Sequence, residues 1–320
     1  MMDQLEAKPL VSSAVTYARR GGYDVIEVVD RAVRPPAAGE VRIAVHAAAV
    51  NPTDILLRDP APGVEVWPVV PGVDAVGAIE SVGPDVSRLH VGQKVMAVAM
   101  PRRPEGGAQA QHIVVPAASV APIPANASLT EAATLPMNGL TALLALELAG
   151  LEAGQTLAIS GGAGLLAHYA TALAKRQGLK VIADAKSSEI DLVRGYGADD
   201  VVERKEDFAA AIRRVVPDGA DALLDTAVLG EKAFGAVRDG GVYIPVRMWG
   251  DKPGERDLKI KQVLVYHAFE RTEWLELLSK VVEAGEIRLR VTGKYDIHQV
   301  ADAQRMLEAG GLRGRPVIVF

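Results

Sequence analysis

Between residues 156 and 246 short apolar runs alternate with amphipathic stretches of helical spacing. The order is TLAIS, a glycine turn, a helix over 165–177, LKVIAD, a helix over 187–196, DDVVE, a helix over 207–216, ALLDTA, a helix over 230–238 and GGVYIPV. Strands that recur with a helix between each pair are joined by crossovers, which predicts a parallel sheet with helices on both faces. The first of these units carries Gly162-Ala163-Gly164-Leu165-Leu166-Ala167, between a strand and a helix, with Asp184 ending the next strand 20 residues after Gly164. That context is what a dinucleotide-binding turn requires.

In this reading Gly162 permits the tight turn and Gly164 lets backbone amides approach a pyrophosphate. The helix start adds unpaired N–H donors and a partial positive charge. The third position needs only a small side chain for close helix-to-strand packing, and Ala167 is small. The turn from Gly162 through Ala163, Gly164, Leu165 and Leu166 is therefore the candidate pyrophosphate cradle. Asp184 is the residue type that bonds the ribose hydroxyls of NAD(H) and repels the phosphate of NADP(H), whereas Lys186, Ser187 and Ser188 directly after it form a phosphate-type set.

The first 125 residues have another pattern: YDVIEVVDRAV, EVRIAVHAAAV, DAVGAIESVG, QKVMAVAM and AQHIVVPAA are short and bounded by Gly, Pro, Asp or Asn. They predict a compact barrel-like β unit. Helical spacing begins at SLTEAATLPMNGLTALLALELAGL, with Ser128 or Thr130 as N-cap and Gly150 near the end. After the alternating region come an amphipathic helix over 271–284, a strand IRLRV, a helix over 298–309 and a final strand PVIVF, so the tail is expected to return to the first unit. A length of 320 residues favours two domains.

Net charge is −5 with no run of five like charges, which supports neither nucleic acid nor an anionic membrane surface as partner. No signal-peptide core is apparent, and no window is expected to span a membrane. The chain has no cysteine, and His46, His90, His112, His168, His267 and His298 include no pair at i, i+4. Thiolate and His-pair metal sites are thereby excluded, and without Gly-x-Ser-x-Gly a hydrolase triad lacks its anchor.

Several stretches, in order, carry a resemblance over nearly the whole chain: NPTDILLRD (51–59), VVPGVDAVGAIESVGPDVSRLHVGQKVMAV (69–98), GGAQAQHIVVPA (106–117), ATLPMNGLTALLAL (133–146), the glycine turn, YGADDVVE (196–203), LLDTAVLG (223–230), RDGGVYIPV (238–246) and GLRGRPVIVF (311–320). The sequence resembles the medium-chain dehydrogenase/reductases of the zinc-independent quinone oxidoreductase type, the group that includes crystallin-like quinone reductases and enoyl reductases. The resemblance implies an α/β protein in which a GroES-like β-barrel catalytic domain, 1–124 and 267–320, is split around a Rossmann domain, 125–266. It places cofactor and substrate in the cleft between them.

Zinc-dependent relatives hold their metal with a Gly-His-Glu-x-x-Gly box and cysteines; here the box reads Gly72-Val73-Asp74-Ala75-Val76-Gly77, so no zinc is expected. Without a Lewis acid, hydride transfer to a quinone or an α,β-unsaturated carbonyl is the natural chemistry, because charge develops on a delocalised oxygen.

The resemblance also assigns residues. Asn51 and Asp54, the family's Asn-x-x-Asp box, would sit near the nicotinamide ribose and substrate carbonyl; the alternative reading of these residues is an Asn-Pro turn with an Asx bond. Thr141, with Asn138 on the same segment, matches a nicotinamide contact, or bonds only its own backbone. Backbone groups of Ala227, Pro245 and Val246 would bond the carboxamide. Arg204 aligns with the residue that packs on the ribose phosphate in NADP-using relatives, which turns the reading toward NADP(H), with NAD(H) as the alternative. Tyr243 and Tyr266 could each supply a proton, and neither is singled out. A homodimer through residues 242–266 and a cytoplasmic location complete the expectation. The alternative is a non-catalytic small-molecule or protein-binding member of the fold with a drifted nucleotide turn.

Overall fold

The computed structural model describes residues 10–60, 67–204, 207–250 and 252–320. The chain divides into two compact units. One holds the chain up to Met137, with Phe269–Lys280 and Leu289–Phe320; the other holds Asn138–Ala268 and Val281–Arg288.

In the first unit a seven-stranded sheet runs in the order Val291–Tyr295, Arg315–Val319, Glu40–Ala49, Asp74–Val82, Lys94–Val98 and Val120–Pro122, with His112–Pro116 also paired to Glu40–Ala49. Over the first seven residues of Glu40–Ala49 burial follows a period of two: Val41, Ile43 and Val45 are buried while Arg42, Ala44 and His46 are not, and Ala47, Ala48 and Ala49 are then all buried. Such alternation places one face on a core and leaves the other wetter. That core is built from Ile43, Ile79, Val95, Ile113 and Val115. Arg315–Val319 pairs antiparallel with Glu40–Ala49, so the C-terminal segment completes a sheet begun near the N-terminus. A separate antiparallel pair, Leu10–Tyr17 with Ile26–Val33, touches the rest through bridges at Ala14/Ala110 and Tyr17/Val69.

The second unit contains a parallel six-stranded sheet in the order Asp200–Glu203, Lys180–Ala185, Thr156–Ser160, Ala220–Asp225, Val237–Pro245 and Lys259–Ile260. In order of appearance this is 3-2-1-4-5-6, the doubly wound Rossmann arrangement, whose strand order reverses beside Thr156–Ser160. That strand is buried at every position, as a central parallel strand covered on both faces must be.

Four local expectations change. The strand expected over 287–291 lies at Val291–Tyr295, because the backbone at Arg290 is taken up by the close approach of Gly314 and the Arg315 amide, which donates to the Arg290 carbonyl at 3.0 Å. The helix expected over 187–196 is a 3₁₀ turn, Ser187–Glu189, followed by Ile190–Arg194. The helix expected over 230–238 is a 3₁₀ turn, Gly230–Ala236, and strand begins at Val237. Finally, Leu129–Ala149 is long and apolar enough to cross a membrane, contrary to expectation. In the structure this stretch is two helices, Leu129–Ala132 and Pro136–Ala149, and 83% of its most apolar window is buried within the fold. Its N-cap is Ser128, in a capping box with Glu131, and Gly150 follows its last turn at φ +61°.

Candidate functional site

In the second unit the glycine turn closes on Asp184. Oδ1 of this carboxylate accepts the amides of Gly161 at 2.5 Å and Gly162 at 3.3 Å, and Oδ2 accepts Nε of Arg204 at 2.5 Å. Asp184 is 4% exposed. The side chain expected to reach for ribose hydroxyls is thus turned back onto its own loop and bound to a cation. The left-handed residue is Gly161, at φ +71°, one position before the motif. Gly162 is needed for close approach instead: a Cβ there would lie 2.6 Å from the Asp184 carbonyl oxygen. Gly164 caps the helix Leu165–Arg176, whose first amides have no acceptor within the helix. Ala163, Leu165 and Ala167 are buried beneath the turn, and Leu166 is partly exposed.

Beside the turn lies a cavity of about 390 Å³, lined by Asp184 and Arg204, by Phe208, and by Ala227, Leu229 and Lys232. It opens at the C-terminal ends of the strands next to the order reversal, where ligands of doubly wound sheets bind. Of the phosphate-type residues, Arg204 lines it. Lys186 and Ser187 do not; the Ser187 hydroxyl bonds Glu203, and Lys186 is exposed just before the 3₁₀ turn. Lys232, unremarked in the sequence, supplies a second cation.

The far wall is the loop after Ala220–Asp225. The buried Asp225 carboxylate accepts the Ser160 hydroxyl at 2.6 Å, the Leu229 amide at 3.0 Å, the Gly230 amide at 2.9 Å and the Tyr243 hydroxyl at 2.6 Å. Ser160 Oγ in turn accepts the Ala227 amide at 3.0 Å. Ala227 therefore groups with Asp184 and Arg204, and Tyr243, fully buried, is committed to Asp225, which together with burial pushes its hydroxyl pKa up. Pro245 ends its strand and its carbonyl accepts the Val263 amide at 3.2 Å; Val246 follows, partly exposed. Asn138 and Thr141, 5% and 8% exposed, are three residues apart on Pro136–Ala149 and so share a face. Trp249 packs against Tyr243 and Phe234.

In the first unit Asn51 caps the helix Pro52–Arg58, with proline in the first turn and Asp54 reaching back to the Asn51 amide at 2.8 Å. Asp54 is fully buried and also accepts the Gly72 amide at 2.9 Å and Gln109 Nε2 at 3.2 Å. The Asn51 amide group is oriented from both ends: Nδ2 donates to Asp74 Oδ2 at 2.7 Å, and Oδ1 accepts Arg315 Nε at 2.9 Å. Asp74 Oδ1 accepts the Met137 amide at 2.6 Å. Burial outweighs these donors and pushes both carboxyls up to about 7. Trp67, in the same unit, is partly buried in an apolar cluster with Val69 and Tyr17.

Two family profiles match the chain: "Alcohol dehydrogenase GroES-like domain" over residues 37–125 and "Zinc-binding dehydrogenase" over 196–318. The 2-methylene-furan-3-one reductase of Solanum lycopersicum is 29% identical over 326 residues, covering 97% of this chain and 79% of the relative. The quinone oxidoreductase of Coxiella burnetii superposes with a TM-score of 0.84 at 25% identity, covering 97% of this chain and 100% of the other. An alcohol dehydrogenase superfamily protein from Novosphingobium aromaticivorans gives 0.86 at 25% identity with the same coverage. The chain belongs to the medium-chain dehydrogenase/reductase superfamily. It is an oxidoreductase of that superfamily.

The zinc in one profile's description does not fit the residues present in this dehydrogenase/reductase. The chain has no cysteine, and among the described residues no three His, Asp or Glu side chains gather to hold a metal. Asp74, alone in the box, already serves Met137 and Asn51. A dinucleotide does fit the turn: the close approach at Gly162 and the helix start are those of a phosphate-binding turn, and the cavity beside it presents Arg204 and Lys232 among the carboxylates of Asp184, Glu203 and Asp207. Sequence reasoning missed Asp225, Lys232, Gln109 and Arg315. The one signal for Asp225 is its place at a strand end in the Rossmann unit, where charged residues are rarely idle.

Proposed function

We propose that this protein is an NADPH-dependent reductase that delivers hydride, without a metal ion, to a quinone or an α,β-unsaturated carbonyl. The observation that carries the reading is Arg204, tied by Nε to Asp184 at 2.5 Å on the rim of the cavity beside the glycine turn. Asp184 spends both oxygens on the turn and on Arg204, so the carboxylate that would favour NADH is neutralised, and the guanidinium is held for a ribose phosphate. Lys232 adds charge from the opposite wall, and the amides at the start of Leu165–Arg176 face the pyrophosphate.

When bound, the reduced nicotinamide supplies the hydride. Asn138 and Thr141 are assigned to its surroundings with the ends of the strands at Ala227, Pro245 and Val246. Asn51 is assigned to the ribose and the acceptor carbonyl. Asp54 reaches neither, being enclosed by its three donors, and acts as a positioning residue for the Asn51 backbone. Tyr243 is spent on Asp225, so the proton that completes the reduction comes from solvent. The acceptor class draws support from the tomato relative, named for a methylene-furanone, and from the Coxiella quinone oxidoreductase. We assign a homodimer to the open edge of the parallel sheet at Lys259–Ile260, and a cytoplasmic location.

Calorimetric titration with NADPH and NADH, followed by NADPH oxidation with a simple quinone and a simple enone, tests the proposal. NADPH is expected to bind more tightly, and Arg204→Ala to weaken it about 10- to 100-fold while leaving NADH within about threefold, the loss of one charge-assisted contact. Binding of neither dinucleotide at millimolar concentration would overturn the reading.

A further inference from the structure

Val228 stands at φ +58° and is 48% exposed. A β-branched residue in the left-handed region is strained, because its Cβ substituents crowd the backbone there. No burial of its side chain compensates, so the conformation is imposed by its neighbours. Those neighbours are fixed with unusual completeness. Thr226 Oγ1 donates to the Ser160 carbonyl at 2.6 Å and the Ala227 amide to Ser160 Oγ at 3.0 Å, before Val228. The Leu229 and Gly230 amides donate to the two oxygens of Asp225, after it. The carboxylate is itself held by Ser160 Oγ and the buried Tyr243 hydroxyl. Two of these bonds end directly on one buried acid on the strand beneath the loop, and the bond from Ala227 reaches it through Ser160 Oγ.

We propose that Asp225 is a positioning residue for nucleotide recognition: it clamps the loop 226–230, Val228 included, in the strained form that presents Ala227 and Leu229 to the cavity shared with Arg204 and Lys232. The inference rests on the reading of that cavity as the adenosine end of the NADPH site. A carboxyl side chain is suited to the task, since its two oxygens take four donors at once. The strain is the cost of an ordered wall before the nucleotide arrives. Without the clamp the loop relaxes, and binding must restore it.

Asp225→Asn places an NH₂ group against donors and leaves one acceptor oxygen. NADPH and 2′,5′-ADP are expected to bind roughly 5- to 100-fold more weakly, the range set by one strained backbone conformation. The KM for NADPH rises with them while kcat at saturating NADPH stays within about threefold. The decisive variant is Asp225→Asn combined with Val228→Gly. Glycine adopts φ +58° without strain, so the double variant should recover most of the lost affinity, whereas a merely destabilised fold would not recover. Should Asp225→Asn fail to fold, Ser160→Ala, which releases the Ala227 amide, is expected to weaken binding in the same sense and to be rescued by the same glycine. Wild-type protein that binds NADPH, with Asp225→Asn binding equally well, overturns the inference and spares the functional reading. A weakened Asp225→Asn that glycine does not rescue overturns it too. Wild-type protein that binds neither probe overturns both.

Discussion

Asp74→Asn separates a buried neutral acid from a buried ion. Asp74 is fully buried between the Met137 amide and the Asn51 side chain, and burial raises its carboxyl to about 7, against about 4 in the unfolded chain. Between those values the folded protein holds a proton that the unfolded chain has released. The sign follows: stability from this group is fully present below about pH 4 and is lost as pH rises through 7, at about 1.4 kcal/mol per pH unit. Asp54, raised to about 7 for the same reason, contributes an equal slope. His112 opposes them, because burial lowers its pKa and its protonation in the unfolded state costs stability below about pH 6.5, by at most one proton. Glu40, Asp199 and Glu131 are held below their ordinary values by hydrogen bonds and charges, and titrate under this window.

The wild-type protein should therefore lose at least about 1.4 kcal/mol per unit between pH 5 and pH 6. Asparagine copies the shape of the protonated acid and cannot ionise. Its NH₂ group must face one of the two donors, the Met137 amide or Asn51 Nδ2, so Asp74→Asn should be less stable than wild type by about 1–3 kcal/mol at pH 5, with the slope reduced by about 1.4 kcal/mol per unit. Urea unfolding at half-unit steps from pH 5 to pH 7 reads it directly. An unchanged slope would mean that Asp74 is ionised in the fold throughout, with the Met137 and Asn51 donors and the Arg315 charge outweighing burial, and the reasoning fails.

Two further substitutions address the second unit. Gly162→Ala drives a Cβ to 2.6 Å from the Asp184 carbonyl and 2.8 Å from the Ala183 side chain, so a loss of about 1–3 kcal/mol and a melting temperature lower by several degrees are expected; an unaltered melt contradicts the packing argument. Tyr243→Phe removes a 2.6 Å bond to Asp225 and should cost about 1 kcal/mol, with turnover at saturating NADPH within about threefold. A hundredfold drop in turnover would instead make Tyr243 the proton source.

The inner strands of the Rossmann unit were readable because the sheet is parallel and its centre is buried on both faces, so Thr156–Ser160, Lys180–Ala185 and Ala220–Asp225 are largely apolar runs and each helix a change of period. The glycine turn, Ser128 and Gly150 were readable for the same local reason: a cap or a turn is a backbone requirement met by one residue type. Elements whose limits are set by a partner strand were not. The alternation in IRLRV is a sound strand pattern, yet pairing with Arg315–Val319 begins only at Val291, with a shift in register between Val291 and Gly293. The helix expected over 230–238 failed because Asp225 holds the Gly230 amide and Gly230 turns left-handed, conditions set by a side chain five residues away.

The same distinction orders the site. Asn51 with Asp54 forms a contact three residues long and shows in the sequence as a box, whereas Asn51 with Asp74 and Arg315 spans 23 and 264 residues and shows nowhere. A buried acid can be recognised from sequence only when its donors are neighbours, since the donors are mostly backbone amides and carry no letter of their own. Asp184 illustrates the consequence. By type and position it reads as a ribose-binding carboxylate, and its burial with the Gly161 and Gly162 amides on one oxygen and Arg204 on the other reverses that meaning. In the proposed function, the preference between two cofactors that differ by one phosphate is set by which way a single carboxylate faces. The decisive contact is an ion pair between two strand ends, and the residues around Asp184 in sequence, Lys186 and Ser187, lie off the cavity that this pair lines.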